Sequence, residues 1–231
     1  MRRSIIQRVR EAERPVVVFD VDSTLLSTAR RHHRILREFA ESWGDDGLSA
    51  LVDTLVAADF GWEVHGPLLG TGFEQSELLE ALSGFWFQRF FHPEYADEDE
   101  PIPGAVSFVN AVHEAGAWVY YLTARHLPEL GPPTVRALIR HGFPLATKRT
   151  VLHLKPSRST PDAAFKRSAI SEIAALGEVV ATFENDPANA NALLAGFPDA
   201  VNVLLDTVCA ADAPSPHPSL IRVPDFEEHA G

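Results

Sequence analysis

The sequence predicts an α/β protein: a doubly wound, mostly parallel sheet with a small helical domain inserted after the first strand. Three observations lead there. Five short runs are almost continuously apolar, β-branched or aromatic: Pro15–Asp20, Ala117–Leu122, Thr150–Leu154, Val179–Glu184 and Val201–Leu205. Strands covered on both faces read this way, whereas a sheet wet on one side alternates. Helical patterns separate the later runs, and strand–helix alternation gives a parallel sheet with helices on both faces, a Rossmann-like arrangement. The alternation breaks once, between the first run and Pro103, over about eighty residues with no strand pattern, too long for plain loop in a compact domain.

Taken in order, the first strand ends in "VVVFDVDSTLL", Val16 to Leu26, where two carboxylates sit one residue apart. Like charges that close disfavour each other, and neither belongs in a core. They are either a solvated loop start or groups mounted for chemistry. The insert follows, with helical patterns at Thr28–Trp43, Leu48–Ala58 and Glu74–Phe91, and an aromatic stretch, "FWFQRFFHPEY", that with Trp62 and Trp86 forms its core. The run "DEDEP", Asp97 to Pro101, reads as a solvated return linker. The domain division is then a Rossmann-like core of residues 1–26 and 101–231, and a helical insert of residues 27–100.

After the insert, Gly104–Ala115 follows Pro103 as a helix, and Pro133–His141 ends at Gly142. Pro161–Leu176 has Thr160 as N-cap, proline at the first helical position and Gly177 as its stop. Pro187–Ala195 stops at Gly196. The C-terminal stretch from Cys209 reads as an irregular surface tail, with a short strand at Leu220–Val223.

Length and composition fit this plan. A chain of 231 residues, 45% hydrophobic and 23% charged, holds one sizeable domain with a smaller insert. The glycines make neither a phosphate-binding P-loop nor a dinucleotide fingerprint. No apolar run is long enough to span a bilayer, and the basic N-terminus lacks the apolar segment of a signal peptide, so the expected location is cytoplasmic. A formal charge of −12 argues against nucleic acid and anionic membranes as partners. It would also repel a small anionic substrate unless a cation or local lysines offset it. The single cysteine, Cys209, allows no intrachain disulfide and reads as a small buried hydrophobe.

In open α/β sheets ligands bind beyond the carboxyl ends of the strands. Asp20 and Asp22 stand there after the first strand, Thr123 and Arg125 after the second ("LTAR"), Lys155 after the third, and Glu184, Asn185, Asp186 and Asn189 after the fourth ("FENDPAN"). These segments, with a later lysine, occur in the order of the four motifs of the haloacid-dehalogenase-like (HAD) hydrolase superfamily, which the chain resembles over roughly residues 14–25 and 101–206. Asp-x-Asp-x-Thr after an apolar strand is the specific motif; a hydroxyl residue closing a strand is weak alone.

The resemblance implies a phosphohydrolase acting on a small phosphorylated compound through an aspartyl-phosphate, with the insert as a cap domain. It makes Asp20 the nucleophile and Asp22 the acid and base, with a backbone carbonyl facing a Mg²⁺ ion. Thr123 is a phosphoryl donor. Lys166 is the third-motif lysine, with Lys155 as the alternative for that place or as a substrate contact. Glu184 or Asp186 is the acidic metal ligand, alongside Asp20 and Asp22. Thr24 and Arg125 join Lys155 in contacting substrate, unless Arg125 merely pairs with a nearby carboxylate. A divalent cation would explain why Asp20 and Asp22 tolerate each other. The same residues suit phosphotransfer to an acceptor other than water, or a weakly catalytic phosphate-binding module. The sequence leaves oligomeric state and substrate open. His32 and His33 lie on a polar face with Arg30, Arg31 and Arg34; adjacent histidines do not share a helix face, which argues against a metal site, and the basic cluster reads as a solvated face rather than one that attracts an anionic substrate.

Overall fold

The computed structural model describes residues 1–228. They divide into two compact units, Met1–Ser27 with Pro101–Gly231, and Thr28–Glu100. The first unit contains six parallel strands: β1 (Pro15–Phe19), β2 (Trp118–His126), β3 (Thr150–Lys155), β4 (Glu178–Glu184), β5 (Val201–Leu205) and β6 (Ile221–Val223). Their order across the sheet is β3-β2-β1-β4-β5-β6. The chain therefore winds outward in one direction from β1 and then in the other, which leaves a crevice at the carboxyl end of β1.

Alternation along β1 sorts the core into two layers. Val17 and Phe19 face one side with Val119, Tyr121, Ala181, Phe183 and Val203. Three helices cover that face: α1 (Arg2–Glu11), α5 (Ala105–Glu114) and α6 (Leu127–Arg140), through Ile5, Val9, Phe108, Val112, Ala137 and Leu138. Val16 and Val18 face the other side with Tyr120 and Leu122. There α7 (Asp162–Leu176) and α8 (Pro187–Gly196) lay down Phe165, Ala169, Ile173 and Leu193. Every β1 residue is buried, as its unbroken apolar sequence requires.

Several local expectations need correcting in this unit. Helix α6 begins at Leu127 and carries Pro132 and Pro133 inside it, rather than starting at Pro133. The prolines remove two intrahelical donors, but Leu130 and Thr134 are buried against the rest of the unit and hold the early turns in place. Helix α7 is capped by Pro161, φ −63° and ψ 134°, one residue later than Thr160. The N-terminal stretch, in which the sequence analysis places no element, forms α1 because Ile5 and Val9, four apart, both bury. The C-terminal tail is more than a surface strap. Beyond β6 it drives Phe226 into the core, fully buried among Phe19, Phe108 and Phe183. Gly104, at φ +74°, admits it, since a Cβ there would lie 2.7 Å from the Phe226 carbonyl carbon. Cys209 is exposed, not buried.

The second unit is helical: α2 (Ala29–Trp43), α3 (Asp46–Val52) and α4 (Ser76–Phe90), joined by short 3₁₀ turns. The pattern seen at Leu48–Ala58 yields only the two-turn α3 and a separate turn at Ala57–Asp59. The core packs Leu36, Phe39 and Ala40 of α2 on Leu48, Val52, Leu78 and Leu82. Trp86 packs at its edge, while Trp62 is half exposed and contributes little to it.

The reading of two charged stretches as solvated is wrong in part. Arg31 and Asp99 are essentially inaccessible and form a buried, two-pronged ion pair. Arg31 also donates to the Phe90 carbonyl and lies over the Phe90 ring. His32 is buried too, stacked on Trp86. Amphipathic helix α2 turns Arg31 and His32 inward, and pairing with Asp99 offsets part of the cost of burying the Arg31 charge. Arg34 stays nearer the surface, shared by Glu38, Glu94 and Glu98. Among the described residues no helix is long and apolar enough to cross a membrane.

Candidate active site

The site lies wholly within the first unit and is assembled by strand register. Phe19 of β1 stands opposite Tyr121 of β2 and Phe183 of β4. One residue further, Asp20 comes level with Glu184, and the Asp20 N–H donates to the Phe183 carbonyl at 2.9 Å. Asp20 continues the parity of Val16 and Val18, so it leaves the sheet on the face that α7 covers. Lys166 of α7, next to the core residue Phe165, meets it there.

Lys166 Nζ donates to Asp20 Oδ1 and to Glu184 Oε2, both at 2.6 Å, with all three side chains nearly inaccessible. The other Glu184 oxygen accepts the backbone N–H groups of Asn185 and Asp186, each at 3.1 Å. Burial pushes the Asp20 carboxyl above the usual range, with Lys166 opposing it. Burial and the Asp20 charge raise Glu184 likewise. Burial alone would depress the Lys166 ammonium, but the two carboxylates outweigh it and hold Lys166 protonated. Two acids thus share one cation.

Asp22 is arranged differently. Both of its oxygens accept from Arg125, from Nη2 at 2.6 Å and from Nε at 2.9 Å. The Arg125 N–H donates to Thr123 Oγ1 at 3.2 Å. The turn between Asp22 and Leu26 is closed by Ser23 in the left-handed region, φ 57°, and by the Ser23 N–H donating to the Leu26 carbonyl at 2.7 Å. Thr24 is buried and donates to Asn185 Oδ1 at 3.2 Å, tying this turn to the end of β4.

The side chains of the remaining candidates are engaged elsewhere. Asp186 caps α8, its Oδ1 accepting the Asn189 N–H at 2.9 Å. Lys155 forms an ion pair with Asp162, in the first turn of α7. Asn185, singled out only as one of the polar residues past the fourth strand, has a part its sequence position does not reveal: its amide bridges Thr24 and the Val208 carbonyl. Its place directly after Glu184 at a strand end was the available signal. The sequence analysis missed Thr134, which accepts from Arg125 Nη1 at 3.3 Å.

The side-chain donors suited to a cation here are the carboxylates of Asp20 and Glu184, both hard oxygens. Among the described residues no three His, Cys, Asp or Glu side chains converge closely enough to hold a metal by themselves. Two carboxylates are a donor set of the kind Mg²⁺ takes, completing its shell with water and phosphate oxygens.

No family model matches the sequence, and no curated protein matches it. Solved structures do. Protein Tyrosine Kinase A of Mycobacterium tuberculosis is 16% identical with a TM-score of 0.54, over 92% of this chain and 94% of that one. CbbY of Rhodobacter sphaeroides, solved in complex with phosphate, is 19% identical with a TM-score of 0.51, over 91% and 94%. A haloacid dehalogenase-like hydrolase of Streptococcus pneumoniae is 9% identical with a TM-score of 0.50, over 82% and 83%. At such identities the likeness establishes the fold alone: the chain shares the α/β architecture of these structures.

Proposed function

We propose that this chain is a HAD-like phosphohydrolase that cleaves the phosphate ester of a small metabolite through a phosphorylated Asp20. The observation that carries the reading is Lys166 held between Asp20 and Glu184 at the carboxyl end of the central strands. A buried aspartate locked to a permanently charged lysine has an oriented oxygen, and the fixed cation offsets the charge that a phosphate brings. The likeness to a structure solved with phosphate supports the same reading.

In the first half-reaction an Asp20 oxygen bonds phosphorus, the bond from phosphorus to the leaving oxygen breaks, and Asp22 gives that oxygen a proton. In the second, the oxygen of a water bonds phosphorus while its proton goes to Asp22, and the Asp20–phosphorus bond breaks to release phosphate. Thr123 Oγ1, oriented by the Arg125 N–H, donates to a phosphoryl oxygen. Lys166 holds Asp20 in line and keeps Glu184 fixed. Mg²⁺ bound by Asp20, Glu184 and the Asp22 carbonyl would supply positive charge to the phosphoryl oxygens. The helical insert serves as the cap that selects the leaving group.

The test is phosphate release from a panel of phosphorylated sugars, nucleotides, amino acids and cofactors, with Mg²⁺ and no added acceptor. Release by the wild type, abolished in Asp20→Asn with the fold intact, is the expected result. Turnover only when an acceptor is added would make the protein a phosphotransferase or mutase. Wild-type rates in Asp20→Asn would remove the nucleophile assignment.

A further inference from the structure

We propose that Arg125 is a positioning residue for Asp22, holding that carboxylate where it can exchange a proton with the oxygen opposite Asp20. The inference rests on the phosphoryl-transfer reading above and adds to it the group that sets Asp22 in place.

The geometry is that of a fork on a carboxylate. Nε and Nη2 of Arg125 each reach a different Asp22 oxygen, at 2.9 and 2.6 Å. Such paired bonds fix both the distance and the plane of the carboxylate, which a single contact cannot do. The third nitrogen, Nη1, is held by Thr134 Oγ1, and that hydroxyl donates in turn to the Leu130 carbonyl at 2.6 Å. The guanidinium is therefore braced from behind by the early turns of α6, the turns that form despite two internal prolines.

Burial is asymmetric across the pair. The Arg125 side chain is 1% exposed and the Asp22 side chain 36%. The fold sinks the cation and leaves the carboxylate at the accessible edge of the site. A carboxylate in a loop beyond a strand end has a free χ1, and losing its orientation would cost far more at the moment of proton transfer than in stability. The backbone of Arg125 meanwhile orients Thr123 Oγ1, so one residue sets two groups that flank Asp20. A role as clamp for a substrate anion is less well served. The fork faces Asp22, and the guanidinium is covered.

The test compares an alkyl phosphate, whose alkoxide must be protonated to leave, with p-nitrophenyl phosphate, whose phenolate leaves without help. In Arg125→Ala we expect kcat on the alkyl ester to fall about 10²-fold or more, the scale of general-acid catalysis, against less than about 10-fold on the aryl ester. KM should change little. Arg125→Lys should restore part of the alkyl activity, and Thr134→Val should give a smaller loss of the same selectivity. If Arg125→Ala does not fold, the lysine and valine variants carry the comparison. Equal losses on both esters, or a loss confined to KM, would overturn the inference while Asp20→Asn still kills turnover. No phosphate release from either ester by the wild type would overturn both the inference and the reading beneath it.

Discussion

Lys166 Nζ stands between Asp20 and Glu184, 2.6 Å from an oxygen of each, and is the only cation within hydrogen-bond reach of both carboxylates among the described contacts. Removing it leaves two buried acids facing each other. Stripping one partner from a buried charge group costs about 3–5 kcal/mol. Lys166→Met should therefore lower the melting temperature measured without divalent cations, and added Mg²⁺ should recover part of the loss by replacing the missing charge. Catalysis should fall in the variant with or without Mg²⁺. An unchanged melting temperature would show that the lysine does not hold the acids together.

The helical unit depends on the Arg31–Asp99 pair. Asp99→Ala strands a guanidinium with almost no access to water, so the same cost of about 3–5 kcal/mol applies, and the insert should open before the sheet does. Hydrogen exchange would show it as faster exchange across α2 and α4 with the strands unaffected. Uniform protection in both units would contradict the pair's structural role.

Acid should act on the same unit through Glu38. Burial pushes its carboxyl up, but the Tyr95 hydroxyl at 2.5 Å and the guanidinium groups of Arg34 and Arg89 outweigh that, and the net shift is downward from 4.5. A carboxyl depressed in the folded state adds stability that is complete above its unfolded value and is lost as pH falls through the folded one. Wild type should therefore be more stable than Glu38→Gln at neutral pH, and the gap should close as the pH drops below about 4.5. Denaturation curves of the two proteins across that range check it; a gap independent of pH would refute the assignment.

Four strands were legible because a strand covered on both faces must be apolar at every position; the fifth run, Thr150–Lys155, is an edge strand whose residues are mostly half-buried. The residues of the cluster were legible because they sit just past those runs, where parity and register bring Asp20 and Glu184 level. What stayed hidden was charge that turns inward. Arg31 and Asp99 read as solvated because each looks ordinary alone, and only the fold, across a separation of 68 positions, makes them partners. Pairing of Arg125 with a carboxylate was one of the two readings of that residue, but its partner, Asp22, is 103 positions away in the chain and could not be named. Helix α1 was masked by its arginines, which surround a stripe of only Ile5 and Val9. Phe226 lies in a proline-rich tail whose composition gives no hint of a core residue.

The central claim, that Asp20 takes the phosphoryl group, is tested most directly by rapid quenching of a turning-over sample followed by mass mapping of the peptide that spans Val16 to Leu26. The variant Asp22→Asn, which should slow hydrolysis of the intermediate, is the best subject. The account predicts a phosphoryl adduct on Asp20 in that variant and none in Asp20→Asn. Phosphate release with no adduct on this peptide, or with the adduct on another residue, would contradict it.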